Sequence, residues 1–259
     1  MLMKNILDFD VYPNPGDDET FSTIPFEVVR IGCSRHAGRD ISATEKILEE
    51  ERSKGYQIHG VAGVCPKGRY LLTNEDTIEV QGPHTSGEVE FVAFNNGSSI
   101  YISVGSDHND RSLDVIDTPM LGRISDPAKT KQMVPSVVSK SAWLYDDIKA
   151  HWDEIILKSF VTVSGKKIDY QEFRQSELLD LEYYLTNTAF LEQDGSVLLG
   201  GSGDVLESVP SNIWQGQSTL EDVVFPDGFG MEMVDPILNR SLFHYYTVIS
   251  LEESDSLSL

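Results

Sequence analysis

Two glutamates and an aspartate hold the clearest chemical potential in this chain. Glu88 and Glu90 stand one residue apart in Ser86-Gly87-Glu88-Val89-Glu90-Phe91-Val92, and Asp107 follows in Gly105-Ser106-Asp107-His108-Asn109-Asp110-Arg111. From Glu88 to Phe94 charged and apolar residues alternate as in a half-buried strand, which sends both glutamates to one face. Asn95-Asn96-Gly97-Ser98 is a hairpin signal, since Asn96-Gly97 supplies the positive φ angles that a type I′ loop requires. With that two-residue loop, Phe94 pairs with Ser99, Glu90 with Ser103 and Glu88 with Gly105, and Asp107 emerges just beyond Glu88. Three carboxylates at one end of a hairpin repel one another unless a cation lies between them. An all-oxygen set suits Mg²⁺, Mn²⁺ or Ca²⁺ better than zinc. On spacing alone the same residues also read as an ordinary strand with two solvent-facing glutamates.

Elements must be found that could position these groups. Phe26 to Ile31 reads as a strand. Ser42-Ala43-Thr44-Glu45 is a capping box, so a helix is expected from about Ala43 to Lys54, with Gly55 as its C-cap. That helix is strongly polar, with Ile47 and Leu48 as its main apolar contacts, and fits either a lid or a peripheral solvated helix. Tyr70 to Thr73 and Thr77 to Val80 are short strands leading to the hairpin. Trp143 to His151 is expected to be helical, Ile155 to Val163 a strand, and Ser164-Gly165-Lys166-Lys167 the turn into Ile168 to Gln171. Gln175 to Leu185 has leucines near helical spacing. Val197-Leu198-Leu199 is a short strand that ends in the bend Gly200-Gly201-Ser202-Gly203, and Ser241 to Leu251 closes the chain's regular structure.

Composition excludes several classes. With 259 residues and a net charge of −22, the chain is large enough for a substantial core and too acidic to favour nucleic-acid phosphates. Met1 to Tyr12 carries Asp8 and Asp10 and no long apolar run, so neither a signal peptide nor a membrane span is expected. Only Cys33 and Cys65 are present, which fits a reducing cytoplasm. No dinucleotide fingerprint or phosphate-binding lysine loop is found.

The order of the pieces resembles the fumarylacetoacetate hydrolase superfamily. Its members show E-x-E, an N-D-x-S-x-R-D segment, a lysine some twenty residues on, a strand-turn-strand ending in Gln, and a T-G-T bend. The corresponding residues here are Glu88 and Glu90, then Ser106 to Arg111, Lys131, Gly165 to Gln171, and Gly200-Gly201-Ser202. Leu238-Asn239 fits a late hairpin of the same family. Gly38-Arg39-Asp40, Thr85 to Glu90 and Gly105 to His108 look like a bacterial branch of uncharacterised proteins within it. The resemblance runs from about Gly38 to Leu251.

It implies an α+β, β-rich fold, a mixed β-sandwich or roll with a peripheral N-terminal lid helix. In that scheme residues 1–69 form the N-terminal segment with the lid helix, 70–251 the β-rich catalytic-type core, and 252–259 a disordered tail. It further implies a homodimer that uses Mg²⁺ or Mn²⁺, held by Glu88, Glu90 and Asp107, to act on a small 2-oxo or β-diketo acid. The reaction would be C–C hydrolysis, decarboxylation or tautomerisation through a metal-stabilised enolate. Lys131 and Arg111 would neutralise developing negative charge, and Gln171 and Ser202 would position the substrate. For Lys131 the alternative is a surface lysine, and for Arg111 an ion pair with Asp110 or Asp114. The chain departs from the pattern at the lid, where relatives carry His-x-x-Glu and this sequence has Lys46 and Glu49. A protonated lysine beside a carboxylate is a poor general base. His36, His59 and His108 are the candidates to replace the missing histidine, with His108 also a candidate substrate contact. The other reading is a non-catalytic metal- or ligand-binding member that has lost the lid base.

Overall fold

The hairpin that carries the glutamates forms, with a register two residues from the one the Asn-Gly signal predicts. In the computed structural model, strand Val89–Asn95 pairs with Ile100–Ser106 so that Asn95 faces Ile100, Glu90 faces Gly105 and Val89 faces Ser106. The two-residue loop is Gly97-Ser98 rather than Asn96-Gly97, with Asn96 bonded to Ser99 across it. Only Gly97, at +85°, has positive φ in this loop, the sign pattern of a type II′ turn. Asn96 serves as a side-chain acceptor instead, its Oδ1 taking the Ser98 and Ser99 amides at 3.2 and 3.0 Å. The shift brings Asp107 directly opposite Glu88, whose carbonyl accepts the Asp107 amide at 3.2 Å.

The structure describes every residue except 1–3, 16–19, 54–59, 114–115, 119–121, 125–126, 217–219, 221 and 252–259. The expected helix C-cap at Gly55, His59, the Asp114 alternative for Arg111 and the acidic tail therefore lie outside the described residues. Two sheets carry the fold. The larger, ten-stranded one runs in the order Ser22–Val28, Asn5–Tyr12, Ser141–Leu144, Ile100–Ser106, Val89–Asn95, Ser196–Leu199, Arg30–Arg35, Gly63–Lys67. Ser136–Val138 pairs with the far end of Ile100–Ser106 and with Leu72–Thr73. The second sheet orders Lys166–Arg174, Ile156–Val163, Gly228–Asp235, Arg240–Ser250 and Thr77–Val80. Strands from both sides of residue 69 share the larger sheet.

Because Val89–Asn95 is central, both its faces are covered, unlike the half-buried strand that its alternation suggests. Val89, Phe91 and Ala93 enter the core between the sheets with Leu157, Phe229, Met231 and Tyr246. Val92 and Phe94 face a second cluster, in which Phe9 stacks on Phe94 at 4.3 Å. Burying these faces supplies the main driving force for the architecture. Among the described residues no helix is long and apolar enough to cross a membrane.

Tertiary pairing overrides several local signals. The N-terminal helix spans Ile41–Ser53 and begins two residues before the capping box predicts, because Asp40 rather than Ser42 caps it, accepting the Ala43 amide at 3.0 Å. The strand expected over Phe26 to Ile31 breaks at Val29, whose amide turns to Gly195. The leucines after Gln175 do not form one helix. Leu178 bridges Gly38 and the Leu179 amide bonds Ala37, leaving a short 3₁₀ turn and a helix Leu181–Asn187 that Asp180 caps. Tyr70 lies in a 3₁₀ turn before Leu72–Thr73, and Trp143 lies in strand Ser141–Leu144, before the helical turns at Tyr145–Ile148 and Lys149–Glu154.

Candidate functional site

Glu90 lies at the start of strand Val89–Asn95 with Glu88 just before that strand, and Asp107, just past Ile100–Ser106, lies opposite Glu88, so the three carboxylates stand at one end of the larger sheet. Glu90 is 1% exposed. Its Oε2 accepts the Gly201 amide at 3.1 Å. The glycine bend makes this approach possible: a Cβ on Gly200 would stand 1.9 Å from the Phe91 ring, and Gly201 sits at φ +98° with Ala37 behind it. Burial pushes the Glu90 carboxyl up to about 7 against the pull of Lys131, and the Glu88 charge acts in the same direction as burial.

Asp107 is fully buried and bracketed by cations. Lys131, on helix Pro127–Gln132, places its ammonium on Oδ2. On Oδ1 the Ser136 hydroxyl donates at 3.5 Å, and Lys67 Nζ lies 4.0 Å away while donating to the same hydroxyl at 2.8 Å. Burial pushes Lys67 down to about 7, and the Lys131 charge contributes in the same direction. Glu88 is engaged by Arg111, whose guanidinium reaches Oε1 at 2.7 Å and the Ser86 hydroxyl at 2.7 Å. Desolvation pushes Glu88 up, but the charges of Arg111 and Lys131 outweigh it and hold the carboxyl below its usual range. Among the described residues Arg111 pairs with Glu88, while Asp110 accepts the Ser112 amide and hydroxyl.

Gln171 joins the second sheet to this end of the first. Its carbonyl accepts the Val89 amide at 3.1 Å and the Ser159 hydroxyl at 2.9 Å, and its amide donates to Ser202 Oγ and the Gly203 carbonyl, both at 2.8 Å. His108 lies behind the cluster, with its two ring nitrogens against Tyr246 and Thr85 hydroxyls at 2.9 Å each. Burial, followed by the Arg111 and Lys67 charges, pushes it down to about 3, so it stays neutral. Lys46 and Glu49 are exposed on helix Ile41–Ser53, which, among its described side chains, buries Thr44 and Leu48. The structure therefore brings together Glu88, Glu90, Asp107, Lys131 and Arg111, with Gln171 and Ser202 adjoining through Val89 and the glycine bend, and leaves Lys46 and Glu49 outside.

Sequence reasoning missed Lys67 and Ser136. Pro66 argues against a strand at Gly63–Lys67, yet this is the sheet's edge, where proline is tolerated. The available signal was parity: Lys67 lies two residues from buried Cys65 and so shares its inward face.

The donor set fits a hard divalent cation in its chemistry. It is all oxygen, two of its carboxylates are buried, and Glu90 has a single hydrogen-bond donor on its carboxylate among the bonds of the described residues. In the present side-chain arrangement, among the described residues, no three His, Cys, Asp or Glu groups lie close enough together to hold an ion. Lys131 and Arg111 rest on Asp107 and Glu88 instead.

A family model described as "Protein of unknown function (DUF2848)" matches residues 34–246. No curated protein matches the chain. Among solved structures, Cg1458 with inhibitor aligns with a TM-score of 0.56 at 16% identity, over 89% of this chain and 81% of that one. A hexagonal crystal form of 2-keto-3-deoxyarabinonate dehydratase aligns with a TM-score of 0.57 at 12% identity, over 90% and 78% of the two chains. The same dehydratase complexed with magnesium and 2,5-dioxopentanoate aligns at 0.53 and 12%, over 88% and 76%. These neighbours share the fumarylacetoacetate hydrolase fold, which is thus the fold of this chain.

Proposed function

The chain belongs to the DUF2848 family and has the fumarylacetoacetate hydrolase fold, and from that premise we propose that it is a divalent-metal-dependent enzyme acting on a small 2-oxo or β-diketo acid. One observation carries the proposal: three carboxylates gather at one sheet end, Glu90 and Asp107 buried among them, with Lys131 and Arg111 laid against Asp107 and Glu88. Glu88, Glu90 and Asp107 would hold Mg²⁺ or Mn²⁺. The ion would supply Lewis acidity toward adjacent carboxylate and keto oxygens of the substrate. Lys131 and Arg111, displaced from their carboxylates, would face negative charge developing on those oxygens during C–C cleavage, decarboxylation or tautomerisation. Gln171 and Ser202, already bonded to each other, would orient the substrate's polar end. Homodimeric assembly and a cytoplasmic setting belong to the same proposal, the first from the family resemblance and the second from the buried thiols Cys33 and Cys65.

A second reading has its own support. Lys46 and Glu49 are exposed, and His108 is neutral and bonded on both nitrogens, so neither supplies a water-activating base at the cluster. A non-catalytic member that binds metal and a 2-oxo acid would need no such base.

The test is a thermal melt of metal-stripped protein with Mg²⁺ or Mn²⁺, each with and without oxalate, for the wild type and Glu88→Ala. Ligand at about a hundred times its Kd stabilises by roughly 2.7 kcal/mol, a shift of several degrees in a chain of this size. We expect oxalate to raise the midpoint only with metal and only in the wild type. No response in any combination would overturn the proposal. A full binding response without turnover of any acylpyruvate would favour the second reading.

A further inference from the structure

We propose that Cys33 and Cys65 are a redox pair that closes reversibly to a cross-strand disulfide when a peroxide oxidises the protein, and that the bridge pins the edge strand which carries Lys67 to the carboxylate cluster. The inference rests on the register of the larger sheet and holds whether or not the cluster binds a metal.

Strands Arg30–Arg35 and Gly63–Lys67 are antiparallel, and their register sets Cys33 directly opposite Cys65. Residues paired in this way send their side chains to one face, with Cα atoms about 4.5–5.5 Å apart. A disulfide spans about 4.4–6.8 Å between Cα atoms, so these two sulfurs can join with no change of register. Both are reduced thiols here, and both are buried. The only two cysteines of the chain are thus brought face to face from separate strands. They stand close behind the candidate site. Val92, Leu199, Cys33 and Cys65 form one row across the larger sheet, and Glu90 and Gly201, joined by their hydrogen bond, lie two residues away from that row along their own strands. The charges of Lys131, Lys67 and Glu90 all reach the Cys33 thiol. Lys67, two residues beyond Cys65, shares its face and donates to the Ser136 hydroxyl at 2.8 Å.

Gly63–Lys67 ends the strand order of the larger sheet, whereas Arg30–Arg35 is paired on both sides. An edge strand opens locally at lower cost than a central one, so Cys65 is the sulfur that an oxidant meets first. Its sulfur attacks one oxygen of hydrogen peroxide and the O–O bond breaks, which leaves a sulfenic acid and a water. As the strand closes, the Cys33 sulfur attacks that of Cys65. The S–S bond forms, the S–O bond breaks, and the departing hydroxide takes the Cys33 proton as water. Two thiols and one peroxide have then become one disulfide and two waters, and a dithiol reductant reverses the change by exchange. The bridge holds the two Cβ atoms at about 3.8 Å, closer than the roughly 4.5–5.5 Å of an unbridged pair. The central strand is held by both neighbours, so the edge strand is the one that yields and is fixed.

The test treats the folded wild type with hydrogen peroxide, removes the excess, and then unfolds it in iodoacetamide for mass analysis. The protein should lose two hydrogens, take up no label and yield a linked peptide pair carrying Cys33 and Cys65, and dithiothreitol before the label should restore two reactive thiols. Hydrogen–deuterium exchange should then be about tenfold slower at the Gly63–Lys67 amides of the oxidised form than of the reduced form, and the same in both forms over Val89–Asn95. In Cys33→Ala and in Cys65→Ala peroxide should leave the exchange of the edge strand unslowed. A wild type that keeps both thiols, stops at sulfinic acid or links only between molecules overturns the inference, and none of these readings depends on a variant folding. A bridge that forms while the Gly63–Lys67 amides exchange as fast as before overturns it too. The Mg²⁺ and oxalate melts of the functional reading use the reduced protein, so either idea can fail while the other stands.

Discussion

Glu90 is a buried carboxyl to which, among the described residues, one backbone amide donates, and that sets the cost of the site to the fold. In metal-stripped protein the residue must either hold a buried charge or take up a proton, both unfavourable relative to a neutral amide of the same shape. Glu90→Gln should therefore melt higher than the wild type near pH 8 without metal, by on the order of 1–3 kcal/mol. With Mg²⁺ and oxalate together the order should reverse, because the amide cannot serve as a charged ligand. Parallel melts check both halves, and a variant less stable than the wild type under both conditions would mean that the carboxylate is structural. Much of this residue's company is legible in the sequence: the one-residue spacing of Glu88 and Glu90 and the segment through Arg111 locate four members of the cluster. Lys67 is not, because a lysine announces nothing until the strand that buries it is known, and its strand is masked by Pro66.

Between residue and fold stands the hairpin that joins Gly228–Asp235 to Arg240–Ser250, held at its turn by Asp235. The Asp235 carboxylate is fully buried and accepts the Ile237 and Leu238 amides at 3.1 and 3.0 Å, with His151 at 3.1 Å and Arg240 at 3.3 Å. Burial pushes this carboxyl up, but the Leu238 amide, His151 and Arg240 outweigh it and hold it below its ordinary value. A depressed folded value means that the stabilisation is complete above the unfolded range near pH 4 and disappears as pH falls through the folded value. Asp235→Asn should cost roughly 1.5–3 kcal/mol at pH 7, and melts of the two proteins should converge below about pH 4. A constant difference across that range would place the loss in packing rather than charge. Elements of this kind are well marked in the sequence where turn chemistry is local. Ser164 and Gly165, both with positive φ, form the expected turn, and Leu238-Asn239 falls in the expected late hairpin. They are poorly marked where a distant strand competes for the backbone. Gly38 and Ala37 take Leu178 and Leu179 out of a helix, and Ser99 takes Asn96 out of the loop.

At the scale of the whole molecule, charge is the property that composition fixes most directly and the fold can least hide. With 42 acidic residues against 20 basic ones, the surface repels itself, and exposed pairs such as Lys4–Glu27 and Arg174–Glu154 contribute little against that field. The repulsion extends over about 30 Å at 0.01 M salt but only about 8 Å at 0.15 M. The thermal midpoint should therefore rise between these two NaCl concentrations and then level off, in the wild type and in Glu88→Ala alike. The same field draws divalent cations to the surface generally, so Mg²⁺ alone at low salt should stabilise both proteins. Only the part of the Mg²⁺ response that oxalate adds, measured at 0.15 M NaCl where the diffuse contribution is screened, should differ between them. A midpoint that falls with added salt would mean that surface ion pairs outweigh the net repulsion. An oxalate-dependent increment shared equally by Glu88→Ala would place the ion on that diffuse acidic surface and away from the sheet end where Glu88, Glu90 and Asp107 meet.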